Sequence, residues 1–249
     1  MRGVSPNWPA PTWVRAITTT REGGVSKGSF VNFNLGLHVN DNPYHVARNR
    51  LLLSQSFNFK YEPQWLNQSH STNVIEIKST DTNNAQPLEA DGAWTKLTYV
   101  PCVVLTADCL PILLCDTQGT FVGALHCGWR GIADGIIENA IKAIRLQSAG
   151  EILAWLGPAI GQDHFEVGEE VREKFLKHSL VASSAFVAGK PGKWMANLYT
   201  LAQQRLNEMG VHRIYGGNYC TYTDSSQFYS YRRDKETGRM ATLIWLALS

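Results

Sequence analysis

The chain has no Cys-x-x-Cys pair, no His-x-His pair, no internal repeat and no low-complexity tract. The first absence removes the common thiolate-metal and dithiol motifs. The second removes the ligand pattern of a multicopper oxidase, which needs a blue-copper centre plus a trinuclear cluster; the seven histidines are scattered. No apolar run reaches membrane-spanning length. Residues 100–115 form the most apolar stretch, but Pro101, Asp108 and Pro111 break it and it falls short of the roughly 20 residues a bilayer requires. The first twelve residues carry three prolines and no apolar segment of the export-signal kind, so a cytoplasmic location is expected. Charge of one sign is also lacking: 23 basic against 21 acidic residues give a net +2, which favours a small substrate over nucleic acid or membrane. With no linker-like stretch, the 249 residues read as one domain spanning 1–249, of unspecified oligomeric state. The five cysteines (102, 109, 115, 127 and 220) are odd in number in a chain too large to need disulfide staples, so reduced thiols are expected.

What is present is a mixture of helical and strand patterns. Helices are expected at 43–56, where Asp41 or Asn42 caps and Pro43 opens the first turn; at 132–146, with Ile136, Ile137, Ala140, Ile141 and Ile144 on one face; at 168–177; and at 197–209, between Asn197 and Gly210. Strands are expected at 74–78, 102–106, 110–115, 121–126, 152–156, 213–219 and 240–246. Hairpins alternate with strand-helix-strand units. The expected class is therefore α+β, with mixed sheets at the centre flanked by helices in an α/β/β/α-like arrangement.

The segment 107–126 reads as an antiparallel hairpin around the turn 116–120. A turn centred between Thr117 and Gln118 pairs Cys115 with Thr120 and Cys109 with His126, bringing a thiolate and an imidazole to one face. Such a pair serves as two metal ligands, as a nucleophile with its base, or as two unrelated residues. His70, in the polar stretch 67–72, is a third candidate ligand. Two nitrogens and one sulfur leave a tetrahedral position open, the arrangement of catalytic zinc. The sequence Cys127-Gly-Trp-Arg-Gly131 then opens a helix, where backbone N–H groups and Arg130 suit an anion; Arg21, in the Gly-containing loop 18–25, is a second candidate. The segments 229–234 and 237–239 add basic groups among aromatics and also read as a solvated hairpin.

Together these pieces resemble the family described both as laccase-domain (polyphenol oxidase) proteins and as multifunctional purine nucleoside phosphorylases. The resemblance covers nearly the whole chain and rests on Thr20-Arg-Glu-Gly-Gly-Val25, Asn34-Leu-Gly36, Ala107-Asp-Cys-Leu-Pro111, His126-Cys-Gly-Trp-Arg-Gly131, Trp155-Leu-Gly-Pro-Ala-Ile-Gly161, Tyr231-Arg-Arg-Asp234 and Thr237-Gly-Arg239. It implies metal ligands at His70, Cys109 and His126 and a helix-flanked fold with central sheets. It also implies phosphorolysis of adenosine, inosine and methylthioadenosine together with adenosine deamination. Cys127 stands where many relatives have alanine, and Ser71 where glycine is common; neither removes a ligand.

Four chemistries follow as expectations. Zn2+ serves deamination by activating water against the purine C6, with Asp91 or Asp108 moving protons. Phosphorolysis needs arginine-held phosphate, for which Arg21 and Arg130 are the candidates, and Trp129 and the C-terminal tyrosines are candidate stacking partners for the base. The alternative is hydrolysis of an amide in a peptidoglycan precursor, with Cys109 as nucleophile and His126 as base. Copper also suits the same site, with adventitious polyphenol oxidation as its consequence.

Overall fold

The computed structural model describes residues 2–81 and 87–247. In chain order the strands of the two main sheets are β1 (Gly3–Val4), β2 (Val14–Thr19), β3 (Val74–Glu76), β4 (Gly92–Thr95), β5 (Cys102–Thr106), β6 (Leu110–Asp116), β7 (Val122–Cys127), β8 (Ile152–Leu156), β9 (Arg213–Gly216) and β10 (Met240–Leu246). The helices are α1 (Pro43–Phe57), α2 (Trp129–Asp134), α3 (Ile136–Arg145), α4 (Glu169–Leu176), α5 (Leu198–Glu208) and α6 (Tyr231–Asp234). One sheet has the order β1-β2-β10-β5 and is antiparallel throughout. The other runs β9-β8-β6-β7-β4-β3, with parallel pairs at its two edges and antiparallel pairs between.

The period-two alternation of strand side chains sorts the core into layers. Cys102 and Val104 of β5 and Ile244 and Leu246 of β10 share a cluster with Leu113 and Cys115 of β6 and Val122 and Ala124 of β7, so this apolar layer lies between the two sheets. The opposite faces are covered by helices: Val103, Leu105 and Leu243 pack with Leu53 of α1. Ile112, Leu114 and Leu125 pack with Ile137, Ile141 and Ile144 of α3 and with Leu201 and Leu206 of α5. The architecture is α+β in the order α/β/β/α. No helix among the described residues is long and apolar enough to cross a membrane.

The structure corrects several boundaries. The helix expected at 132–146 is two helices, because Gly135 takes φ +102 and ends α2 before α3 begins. The strand expected to reach residue 219 stops at Gly216, where Gly216 and Gly217 both have positive φ. The strands at 14–19 and 92–95 were not anticipated, and 231–234 is a short helix rather than part of a hairpin.

Candidate metal centre

The β6–β7 hairpin carries His126, with Cys109 just before its first strand, in a different register from the one expected. Cys115 pairs with Val122 and Pro111 with His126, so neither Thr120 nor Cys109 is the opposed partner. The reason lies in the turn. The Asp116 carboxylate accepts the Thr120 N–H at 2.7 Å, the Asp116 carbonyl accepts the Gly119 N–H at 3.0 Å, and Gly119 takes φ +61. The turn therefore centres between Gln118 and Gly119, two residues beyond the sum expected. A two-residue shift preserves parity. His126 still faces the layer between the sheets, and Cys109, now in the bend that precedes β6, still reaches it.

That bend is unusual. Asp108 has φ +91, a conformation costly for a residue with a side chain, and it is held there by both carboxylate oxygens: Oδ1 accepts the Thr221 hydroxyl at 2.7 Å and Oδ2 accepts the Arg232 N–H at 2.6 Å. His70 is also left-handed, with φ +61. Its loop is docked by Gln68, whose amide donates to the Leu105 carbonyl at 2.9 Å and accepts the Leu105 N–H at 2.7 Å, mimicking a strand partner along β5.

Asp91, fully buried, ties the ligands together. Its carboxylate accepts the backbone N–H groups of Ser69, His70 and Ser71 at 3.1, 3.0 and 2.6 Å and the Ser71 hydroxyl at 2.7 Å. It also meets Nδ1 of His126 at 2.7 Å, which leaves Nε2 of that ring for a ligand. Burial alone would raise the Asp91 pKa; the hydrogen bonds from His126 and Ser71 outweigh it and hold the carboxyl at about 2. Burial likewise opposes ionisation of Cys109, but the His126 charge and hydrogen bonds from both imidazoles bring the thiol down to about 6. The thiolate and Asp91 in turn overcome burial at His126 and raise it to about 9.

The potential donor atoms of His70, Cys109 and His126 lie within 4.8 Å of one another, with Cys109 Sγ 3.7 Å from His70 Nε2. For comparison, zinc bonds of about 2.3 Å to sulfur and 2.0–2.1 Å to nitrogen place tetrahedral ligands about 3.5 Å apart. The two imidazole rings are inclined at 74°. A soft sulfur and two imidazoles thus fit one borderline metal ion with an open position. Gly128 is what leaves room: a Cβ there would lie 2.8 Å from His70 Cδ2 and 3.1 Å from Cys109 Sγ. Cys127 does not join the group. It points to the helix-covered face, in the cluster with α2 and α3, and burial raises its thiol well above the usual range. A second group of donors, Glu138, His178 and Glu208, is explained by ion pairs, Glu138 with Arg205 at 2.7 Å and His178 with Glu208 at 3.0 Å.

The three candidate ligands border a cavity of about 570 Å³, within the small-molecule range. Its walls include Trp129, Ile160, Phe165 and Tyr231, with Arg130, Arg232 and Arg239 as cations and Asp108 as the carboxylate. His38 also lines it, its pKa lowered by burial and then by the neighbouring charges of Arg239, Arg50 and His126. Arg130 is exposed and lies over the Trp129 ring, 4.3 Å from its centroid. Arg21 is outside the cavity: Nε and Nη1 donate to the carbonyls of Val31 and Ser225, both at 3.1 Å, and the guanidinium covers Tyr229, so it ties loops together. Asp91, sealed behind His126, does not line the cavity, whereas Asp108 does. His38, Phe165, Arg232 and Arg239 went unassigned in the sequence; the last two belong to motifs whose basic groups also fit a solvated hairpin.

The profile of the family described as "Multi-copper polyphenol oxidoreductase laccase" matches residues 15–247. The chain is 47% identical to "Purine nucleoside phosphorylase" of Haemophilus influenzae over 247 residues, covering 98% of this chain and 99% of that one. It is 45% identical to "Purine nucleoside phosphorylase YfiH" of Escherichia coli over 243 residues, covering 98% of both. Among solved structures, Neisseria meningitidis protein NMB0706 superposes with a TM-score of 0.93 at 43% identity over 100% of both chains. YlmD from Geobacillus stearothermophilus gives 0.89 at 30% identity, covering 95% of this chain and 93% of that one. Sequence and architecture agree that this chain belongs to the multi-copper polyphenol oxidoreductase laccase family.

Proposed function

We propose that the chain, acting as one domain, is a zinc-dependent purine nucleoside enzyme that cleaves adenosine, inosine and methylthioadenosine with phosphate and deaminates adenosine. The observation that carries this reading is the group of two imidazoles and one thiol on the wall of a cavity of about 570 Å³ that is at once aromatic and cationic. Its relatives' names point the same way. Bound at His70, Cys109 and His126, Zn2+ supplies Lewis acidity beside the substrate; copper fits the same donors.

The protein's own groups supply the rest. Phe165, Trp129 and Tyr231 line the cavity with aromatic surface suited to a base, and the cavity arginines attract the anion. In phosphorolysis a phosphate oxygen bonds to ribose C1′ as the C1′–N bond breaks, and the electron pair leaves on the purine, which takes up a proton. In deamination water adds at the purine C6 and the amino group departs as ammonia. Asp108, the carboxylate that borders the cavity, is the group placed to move protons in either case. Asp91 acts one step back, orienting His126 and the His70 loop.

The test is metal analysis and nucleoside assay on one sample purified without an affinity metal column. About one zinc per chain with phosphate-dependent release of adenine, or phosphate-independent formation of inosine, supports the reading. His70→Ala, Cys109→Ala and His126→Ala should each lose zinc and activity while staying folded, and zinc retention in all three would sink the site. The low Cys109 pKa favours a second reading, amide hydrolysis with a thiolate nucleophile. That reading requires a metal-free protein, inert to nucleosides, that cleaves a peptidoglycan precursor.

A further inference from the structure

Arg239 reaches the cavity from the loop before β10, and no carboxylate pairs with it among the described residues. Its Nη1 donates only to the carbonyls of Thr237 and Gly238, at 2.9 and 3.0 Å, and its guanidinium lies 5.9 Å from the Tyr231 ring centroid. Burial pulls its pKa below the usual arginine value, although Cys109 and Asp108 nearby act to raise it. A cation partly withdrawn from water and without a direct ion-pair partner is unfavourable, so a ligand anion suits it. The other two cavity arginines differ. Arg232 spends Nη1 on the carbonyls of His164 and Glu166 and its backbone N–H on Asp108, while Arg130 stands on the exposed rim.

The position of Arg239 is constructed by a segment 205 residues away. The fully buried Asn34 accepts the Arg239 N–H at 2.9 Å through Oδ1, and the Leu35 N–H donates to the Arg239 carbonyl at 3.2 Å. The same Asn34 amide clamps Gly36, accepting its N–H at 2.9 Å and donating to its carbonyl at 3.1 Å. Gly36 is where the arginine stem crosses: a Cβ there would lie 2.8 Å from Arg239 Cγ and 3.2 Å from Arg239 Cβ. The motifs 34–36 and 237–239 thus meet to place at the cavity one guanidinium without an ion-pair partner.

We infer that Arg239 holds the phosphate in this cavity, and that Asn34 and Gly36 position it. The inference deepens the nucleoside phosphorolysis reading and rests on it. Arg130 then serves the rim, and Arg21 has no part in phosphate binding.

The experiment uses the metal-loaded full chain, with initial rates of inosine phosphorolysis at varied phosphate and, separately, calorimetric titration of inorganic phosphate without nucleoside. For Arg239→Ala the phosphate KM should rise at least about tenfold, the loss expected for a charge-assisted contact, with inosine KM within about threefold and zinc content as in wild type. Arg239→Lys, which keeps the charge but not the fork, should fall between, and Gly36→Ala should shift the phosphate KM in the same direction. Should Arg239→Ala not fold, the lysine variant carries the comparison. An active wild type with unchanged phosphate KM and phosphate affinity in the Arg239 variants overturns the inference, as does a rise confined to inosine KM. A wild type inert toward inosine refutes the phosphorolysis reading instead, and the phosphate titration of wild type against Arg239→Lys still decides whether Arg239 binds the anion.

Discussion

One buried carboxylate does most to assemble the candidate metal centre. Asp91 gathers three consecutive backbone N–H groups of the His70 loop and the Nδ1 side of His126, fixing two ligands that lie 56 positions apart in the sequence. Asparagine there keeps an acceptor for one of these bonds but loses the charge and half the acceptor capacity. Asp91→Asn should weaken zinc binding about 10- to 100-fold without unfolding the chain, the usual cost of removing a carboxylate behind a histidine ligand. Competition against a chromogenic chelator measures it, and an unchanged affinity would show that the ligands hold themselves. The ionisation states give a second expectation. Without metal, Cys109 titrates at about 6 and His126 at about 9, so between those values the pair is thiolate and imidazolium. Binding needs thiolate and neutral imidazole. Near pH 7.5, zinc uptake should therefore release about one proton, and affinity should fall as pH drops below about 9, through His126, and more steeply below about 6, where Cys109 is protonated as well. The same two groups set the pH dependence of apo-protein stability: the depressed Cys109 pKa contributes above the unfolded thiol value and is lost as pH falls through about 6, while the raised His126 pKa contributes below the unfolded histidine value and is lost as pH rises through about 9. Calorimetry in buffers of different ionisation enthalpy gives the proton count; zero would overturn the assigned states.

At the level of elements, strand and helix identities were largely legible because buried strands and the α3 face are strongly patterned. The segments 102–106, 152–156 and 240–246 match the expected bounds, and α1, α4 and α5 differ by a residue or so at their ends. What pattern alone did not give was the register of the β6–β7 hairpin, since that depends on a side chain, Asp116, bonding within the turn. Parity rescued the site: a two-residue error leaves His126 on the same face, whereas a one-residue error would have turned it away. The break at Gly135 is likewise a single backbone angle within an otherwise continuous apolar face. Cavity residues such as Arg239 and His38 were hidden for a different reason, because their role depends on contacts between segments far apart in sequence. Gly128 gives the test at this scale. It caps α2 with ordinary φ of −65, so alanine is tolerated by the backbone, but the added Cβ would press on His70 and Cys109. Gly128→Ala should lose zinc affinity by at least about tenfold while far-UV circular dichroism stays the same. Full metal retention would show that the ligands shift freely.

Across the whole molecule, the centre sits where several non-adjacent segments meet at the edge of the layer between the sheets. His126 comes from β7 of one sheet, Cys109 from the bend joining β5 of the other sheet to β6, and His70 from a loop that Gln68 fastens to β5. A metal bound there links both sheets, and the unfolded chain cannot offer the same three donors at once. Binding to the folded state alone stabilises by about 2.7 to 4.1 kcal/mol when free metal is 100 to 1,000 times Kd. For a chain of this size each kcal/mol raises Tm by roughly 2–4 °C, so chelation should lower Tm by about 5–15 °C. The effect should vanish in Cys109→Ala, whose Tm should be insensitive to chelator. Scanning calorimetry of both proteins, with and without chelator, makes the comparison. A wild-type Tm that ignores chelator, in a sample shown to release its zinc, would mean that the three segments are held in place by Asp91 and the sheet contacts alone, and that the ion contributes to chemistry without contributing to the fold.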